Sequence, residues 1–236
     1  MDNAAARLLR ILQKAKEVSS ETQCRKAWEA ILPLKHPGEL IEKLGKVMAL
    51  SGAAARLVIA AHPEEQDAVD HWQKSIQNGF TTSALSSKWS EFIKHIDTHT
   101  INYLKSHSRL LDYEFKQSDV STDTLDRIRD LISESKEELL KSGLSQKIRL
   151  LLNDRLSDII SSIEDYQITG FDEVFDRANI VIAQILQLPE KDRGELKDSS
   201  AGEKISTAMS VITDTAEAIS ATLSIGNAIT KLLGNN

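Results

Sequence analysis

One cysteine, Cys24, stands in a chain of 236 residues. No intrachain disulfide is possible, so packing alone must hold the fold, and a reducing compartment, the cytoplasm, is expected. Proline and glycine are scarce, 4 and 10 residues, which argues against a loop-rich or disordered protein. No window holds the ~18 uncharged apolar residues of a membrane-spanning helix. The opening MDNAAARLLRILQKAK mixes charges into its apolar residues and predicts no secretory signal. Recognisable chemistry is absent too. The sequence contains no GxGxxG, no GxxxxGK[ST] and no GxSxG, which removes the common phosphate cradles and the nucleophile elbow. A CxxC metal cluster needs more thiols than exist.

Positive charge is not in excess. The net charge is −6, with +1 on residues 1–120 (16 basic, 15 acidic) and −7 on residues 121–236 (13 basic, 20 acidic). Binding to nucleic acid, which draws on a cationic stripe, is not expected.

What is present is helical spacing nearly everywhere. No run alternates strictly between apolar and polar residues, so no strand is predicted. The first helix is expected over 3–17, with Leu8, Leu12 and Ala15 on one face. Ser20 and Gln23 have capping-box spacing ahead of Cys24, Ala27, Trp28 and Ile31. Residues 39–61 read as a helix with a possible break at Ser51-Gly52. Asn78-Gly79 is expected to stop a helix carrying Val69, Trp72 and Ile76. Trp89, Phe92, Ile93 and Ile96 come next at i, i+3, i+4 and i+7, with Asp97 as a cap for the next helix. Seven of the eleven aromatics fall between Trp72 and Phe115, which places the main core there. Three further helices are expected over 122–141, with Ser121 as its cap, over 145–167 and over 172–188.

Residues 189–200, PEKDRGELKDSS, hold seven charges in twelve positions and one large apolar residue, Leu196. They read as a charged linker with too little to bury. Ser200 and Glu203 then have capping-box spacing ahead of a last helix. Ile205, Met209, Ile212, Ala216, Ile219, Leu223 and Gly226 repeat at steps of four and three, the period of a seam that keeps one face toward a partner helix. Eleven of residues 205–230 are β-branched, so packing rather than propensity must hold this helix. A partner chain or a second copy is the expected occupant of the seam, giving a homo-oligomer or an adaptor. A membrane-acting role is the second reading. The uncharged run 218–230 would rise only ~20 Å as a helix against a ~30 Å hydrocarbon core. A chain ending at residue 198 is expected to lose association and keep its body folded.

No catalytic residue and no cofactor are predicted. His95 and His99, four apart, are the only metal candidates, because imidazoles at that spacing on one helix can share a cation. If Asp97 caps a new helix, the pair is split and both become surface polar residues. An enzyme built from residues remote in sequence, using His95, His99 or His107, is the third reading. Cys24 stands beside Arg25 and Lys26, which would lower a thiol pKa, but burial next to Trp28 is the simpler role. Arg7, Arg10 and Lys14 form a basic row that reads as a solvated face.

Asp165, Tyr166, Ile168, Thr169, Gly170 and Phe171, after the Leu151-Leu152 helix, resemble a set of uncharacterised bacterial all-helical proteins. So do Trp89, Phe92, His95, Asp97, Thr100 and Leu104. The resemblance covers residues 1–188 and implies a helical fold and a bacterial, cytosolic setting, with no functional residue to transfer. The expected architecture is all-α, a multi-helix bundle of about eight to ten helices. A helical body spans 1–188, with a possible subdomain at 1–62. The linker 189–200 and an amphipathic helix at 201–236 complete it.

Overall fold

The structure is a computed structural model that describes residues 2–116 and 118–219. The fold is all-α, and among the described residues there is no strand. Among the described residues twelve α-helices form: α1 Ala4–Glu17, α2 Cys24–Ile31, α3 Leu40–Ala61, α4 Gln66–Thr82, α5 Trp89–Ile93, α6 Thr98–Phe115, α7 Thr122–Lys141, α8 Gln146–Glu164, α9 Tyr166–Thr169, α10 Phe171–Leu186, α11 Glu190–Lys197 and α12 Ser200–Ile219. The excess over the expected number comes from short pieces such as α5, α9 and α11.

The described residues form two compact units. The first holds 2–116 and 167–170; the second holds 118–166 and 171–219. This differs from the expected body at 1–188. Residues 1–62 are not a subdomain either, because Leu8, Leu12 and Val47 share one core with Trp72, Trp89 and Leu104.

Aromatic rings organise the first unit. Trp28 meets Trp89 edge-on at 5.1 Å and Phe92 at 4.9 Å, and stacks on Phe80 at 5.4 Å. These are the offset and edge-to-face geometries that ring quadrupoles favour. Gly79 does not stop α4, which runs on to Thr82. A Cβ at Gly79 would come within 2.9 Å of the Phe92 ring, so the glycine is there for close approach. Likewise α3 is unbroken through Ser51 and Gly52. The capping box at Ser20 does not form. Residues 20–24 instead bond to residues 87–90 at the start of α5: Cys24 N–H donates to the Ser87 carbonyl at 2.8 Å, and Trp89 N–H to that of Thr22 at 2.7 Å.

The basic row on α1 is only partly solvated. Arg7 is buried, donating from Nε to the Ile168 carbonyl at 3.2 Å and from Nη1 to the Asp2 carbonyl. Arg10 pairs with Asp2 at 2.8 Å. Arg7 thereby fastens the 167–170 segment, whose Ile168 lies in the aromatic core. Gly170 makes this possible. Its φ is +78°, and a Cβ would sit 2.3 Å from Arg7 Nη1, so both backbone and space require glycine.

The second unit is almost wholly aliphatic. Ile128, Ile132 and Leu139 of α7, Leu152, Leu156 and Ile159 of α8, and Val174, Val181 and Ile185 of α10 line its core, joined by residues of α12. Ser121 caps α7 as expected, its Oγ accepting from Thr124 N–H at 3.1 Å. Residues 189–200 are not a free linker. Glu190–Lys197 is helical and Leu196 is 2% exposed in this core. The single apolar residue of the charged stretch suffices because α12 lies beside it and shares its burial.

Candidate functional site

The seam of the last helix is the strongest interaction candidate in the sequence, and the structure shows where five of its seven members go. Ile205, Met209, Ile212 and Ala216 are buried in the core of the second unit, and Ile219 packs on its edge. Leu223 and Gly226 lie outside the described residues. The helix beside the seam is α7 of the same chain. The two run antiparallel: Lys204 Nζ pairs with Glu134 at 2.5 Å near one end, and Ser118 N–H donates to the Ile219 carbonyl at 3.4 Å near the other. The nearby Glu134 carboxylate holds the Lys204 ammonium above its usual pKa. A four-and-three repeat states that a helix lies alongside; it carries no information on which chain supplies it. Removing residues past 198 would therefore strip the second core, contrary to the expectation from sequence.

The start of α12 also differs by one residue. Ser199, not Ser200, is the cap: its Oγ accepts from Gly202 N–H at 3.1 Å. A Cβ at Gly202 would fall 2.0 Å from the Leu196 carbonyl oxygen, so glycine lets α11 and α12 meet. A cleft of about 330 Å³ opens beside this junction, with Ile185, Leu196 and Ile205 among its apolar walls and Arg193, Lys197 and Glu203 among its charges. Both signs of charge line it, which favours no simple anion or cation. Arg193 is also engaged, donating to the Leu186 carbonyl at 3.2 Å.

Four of the six histidines, all of which lie in the first unit, fall into three settings. Asp97 caps α6, accepting from Thr100 N–H at 2.7 Å, and this divides His95 from His99. His95 Nε2 lies 3.0 Å from Thr82 Oγ1. The His99 ring instead faces His71 and Tyr103, at 6.1 and 6.2 Å between centroids. Among the described residues no three His, Cys, Asp or Glu side chains are placed to hold a metal ion. His71 Nε2 approaches Asp97 at 3.1 Å. Partial burial opposes the charge on Asp97, but the Thr100 amide and the His71 ring outweigh it and hold the carboxyl down at about 2.

His107 is fully buried between two partners. The Trp72 indole N–H donates to its Nδ1 at 3.1 Å, and its Nε2 lies 3.0 Å from Glu65 Oε2. An indole can only donate, so Nδ1 carries no proton and Nε2–H faces the carboxylate. Every polar atom of the ring is satisfied, which makes His107 part of the core. Cys24 is likewise a buried thiol, its Sγ 3.2 Å from the Lys88 carbonyl. Burial, reinforced by Glu91, raises its pKa, so Arg25 and Lys26 do not activate it. His71 and Glu65 escape a reading of the sequence. Each meets its partner across more than 25 residues of chain, with no local spacing to signal it.

No protein-family model matches the chain, and no curated protein and no solved structure matches it. The resemblance to bacterial helical proteins gains no support from these comparisons.

Proposed function

We propose that the protein is a non-enzymatic interaction protein, an adaptor or assembly component, that acts through its C-terminal region, with the same region of a second copy as its first partner. One observation carries this reading. α7, the helix that covers the seam, begins at Thr122, and Ile219 already lies opposite Ser118, ahead of that first turn. The apolar repeat does not end there: it continues in the sequence through Leu223 and Gly226, and residues 218–230 carry no charge. The apolar pattern in the sequence is thus longer than the part of it that α7 covers among the described residues. Apolar surface left in water forfeits about 25 cal/mol per Å², so a helix from another chain has something to bury. The seam within 205–216 anchors the region, and the residues past Ile219 supply the surface for the second copy.

Light scattering over a range of concentrations, on the full chain and on a chain ending at Ile219, tests this. Both should show the same helical circular dichroism per residue of α1–α12, because the described core is intact in each. The full chain should form the larger assembly. Equal masses at every concentration would overturn the reading.

A further inference from the structure

The first unit carries its own uncovered surface, on α3. Ile41, Met48 and Leu57 of this helix are 62%, 48% and 43% exposed, although Leu44, Val47, Leu50 and Val58 of the same helix are buried. Between the exposed three lie small residues: Gly45, Ala49, Gly52, Ala53 and Ala60 are exposed or half-buried. A Cβ at Gly45 would meet nothing within 4 Å. Among the described residues, Pro37–Ala61 is also the one helical stretch long and apolar enough to cross a membrane, with 33% of its most apolar window buried. The charges on its open face tell against lipid as the occupant. Glu42 and Arg56 sit near the middle of that face, and Lys46 pairs with Glu42 at 2.6 Å beside it.

Those charges instead fit a second α3. At about 100° per residue, Glu42 and Arg56 lie roughly 20° to either side of Ala49, and Gly45 and Ala53 roughly 40°. Glu42 comes seven residues before Ala49 and Arg56 seven after; Gly45 comes four before and Ala53 four after. We propose that two copies of the chain pair through α3, antiparallel about a two-fold axis at Ala49. The axis brings Glu42 of each copy level with Arg56 of the other, forming the same ion pair twice. It sets Gly45 level with Ala53 and Ala49 against itself, so the centre of the contact is small side chains that let two backbones approach closely. The same rotation brings both Met48 side chains to one flank of the seam. The interface is isologous, as a two-fold contact must be. Arg56 already lies along the helix toward Gly52, its Nη1 3.4 Å from where a Cβ there would be, and so points across the open face rather than into the core.

The contact is independent of the C-terminal region, and the test keeps the two apart. Ala49 is exposed, and the native Cys24 is buried. A49C should therefore cross-link copy to copy, by oxidation or with a short bifunctional maleimide, in the full chain and equally in a chain ending at Ile219. Adding E42R or R56E to A49C should lower the cross-linked yield at least about tenfold, since like charges then face each other twice. Mixing the A49C/E42R chain with the A49C/R56E chain should restore it, because each charge again meets its opposite. Unchanged thermal unfolding of each variant shows that the fold is kept. The proposal is overturned if A49C fails to cross-link, if the charge reversals leave the yield unchanged, or if the mixture stays as poor as its parts. Flotation of single-copy protein with phosphatidylcholine vesicles would overturn it as well, by assigning the face to lipid.

Discussion

The two units bury their apolar residues by different means. In the first, Trp28, Trp89, Phe80 and Phe92 make a knot of rings where α2, α4 and α5 meet. In the second, long helices lay aliphatic stripes against one another, and Tyr166, Phe171 and Phe175 are its only buried rings among the described residues. A stripe on a long helix repeats at the helical period, so its bounds can be read along the chain. A ring knot repeats at no period. Its parts come from α2, α4 and α5, and it needs a gap such as Gly79 in whatever passes close to Phe92. All three tryptophans belong to the first unit, so their fluorescence reports that unit alone while helix content reports both.

This difference can be broken from either side. The largest effect should come from ending the chain at residue 198. The second core then loses Ile205, Ala208, Met209 and Ile212. At about 1.5–3 kcal/mol for each large side chain, the loss rivals the whole stability of a domain. Helical signal from α7, α8 and α10 should melt, while the tryptophan emission of the first unit keeps its buried, blue-shifted form. Emission shifting to that of exposed indole would show that the first unit does not hold its core alone.

Trp89→Ala attacks the knot. Trp89 is fully buried and its indole N–H donates to the Ala15 carbonyl at 2.9 Å, so about 3–5 kcal/mol should be lost. Hydrogen exchange should rise throughout α1, α2 and α5 and stay slow in α7 and α8. Gly170→Ala is milder. A residue with Cβ at positive φ costs on the order of 1–2 kcal/mol, and Arg7 must also shift. Local exchange at Ile168 and along α1 should quicken, and a substitution that leaves it unchanged would show that Arg7 does not need the space.

The smallest effect concerns Asp97. Replacing this cap by alanine should cost about 1 kcal/mol. The native carboxyl is held down at about 2, below the ordinary aspartate value of 3.8. A group held lower in the folded chain than in the unfolded one gives stability that is complete above the unfolded value and fades as pH falls toward the folded one. The native chain should therefore lose this contribution between about pH 4 and 2, and Asp97→Ala should show no such loss. Urea melts at pH 5 and pH 2.5 on both chains measure the difference.

How much of this is legible in the sequence varies with range along the chain. The caps Asp97 and Ser121 and the bounds of α7 are readable, because a cap bonds an amide three residues away. The buried role of Cys24 is readable from Trp28 nearby. The absence of a break at Ser51-Gly52, of a stop at Gly79, of a capping box at Ser20 and of a linker at 189–200 is not. At the last three another element supplies what the local stretch lacks: Phe92 fills the space at Gly79, Ser87 accepts from Cys24, and α12 shelters Leu196. His95 and His99 look like a pair only so long as one helix is assumed to carry both.

The chain's own order of residues determined that nearly every segment is helical, where its strongest caps lie, and that the residues from Ile205 onward need a neighbour along one face. Tertiary structure alone decided that this neighbour is α7, that the division falls near residue 117, and that Arg7 holds Ile168 from the far end of the sequence. The reason is one of distance. Periods and caps act over three or four residues and are the same whichever surface they meet, whereas burial depends on which surfaces are brought together.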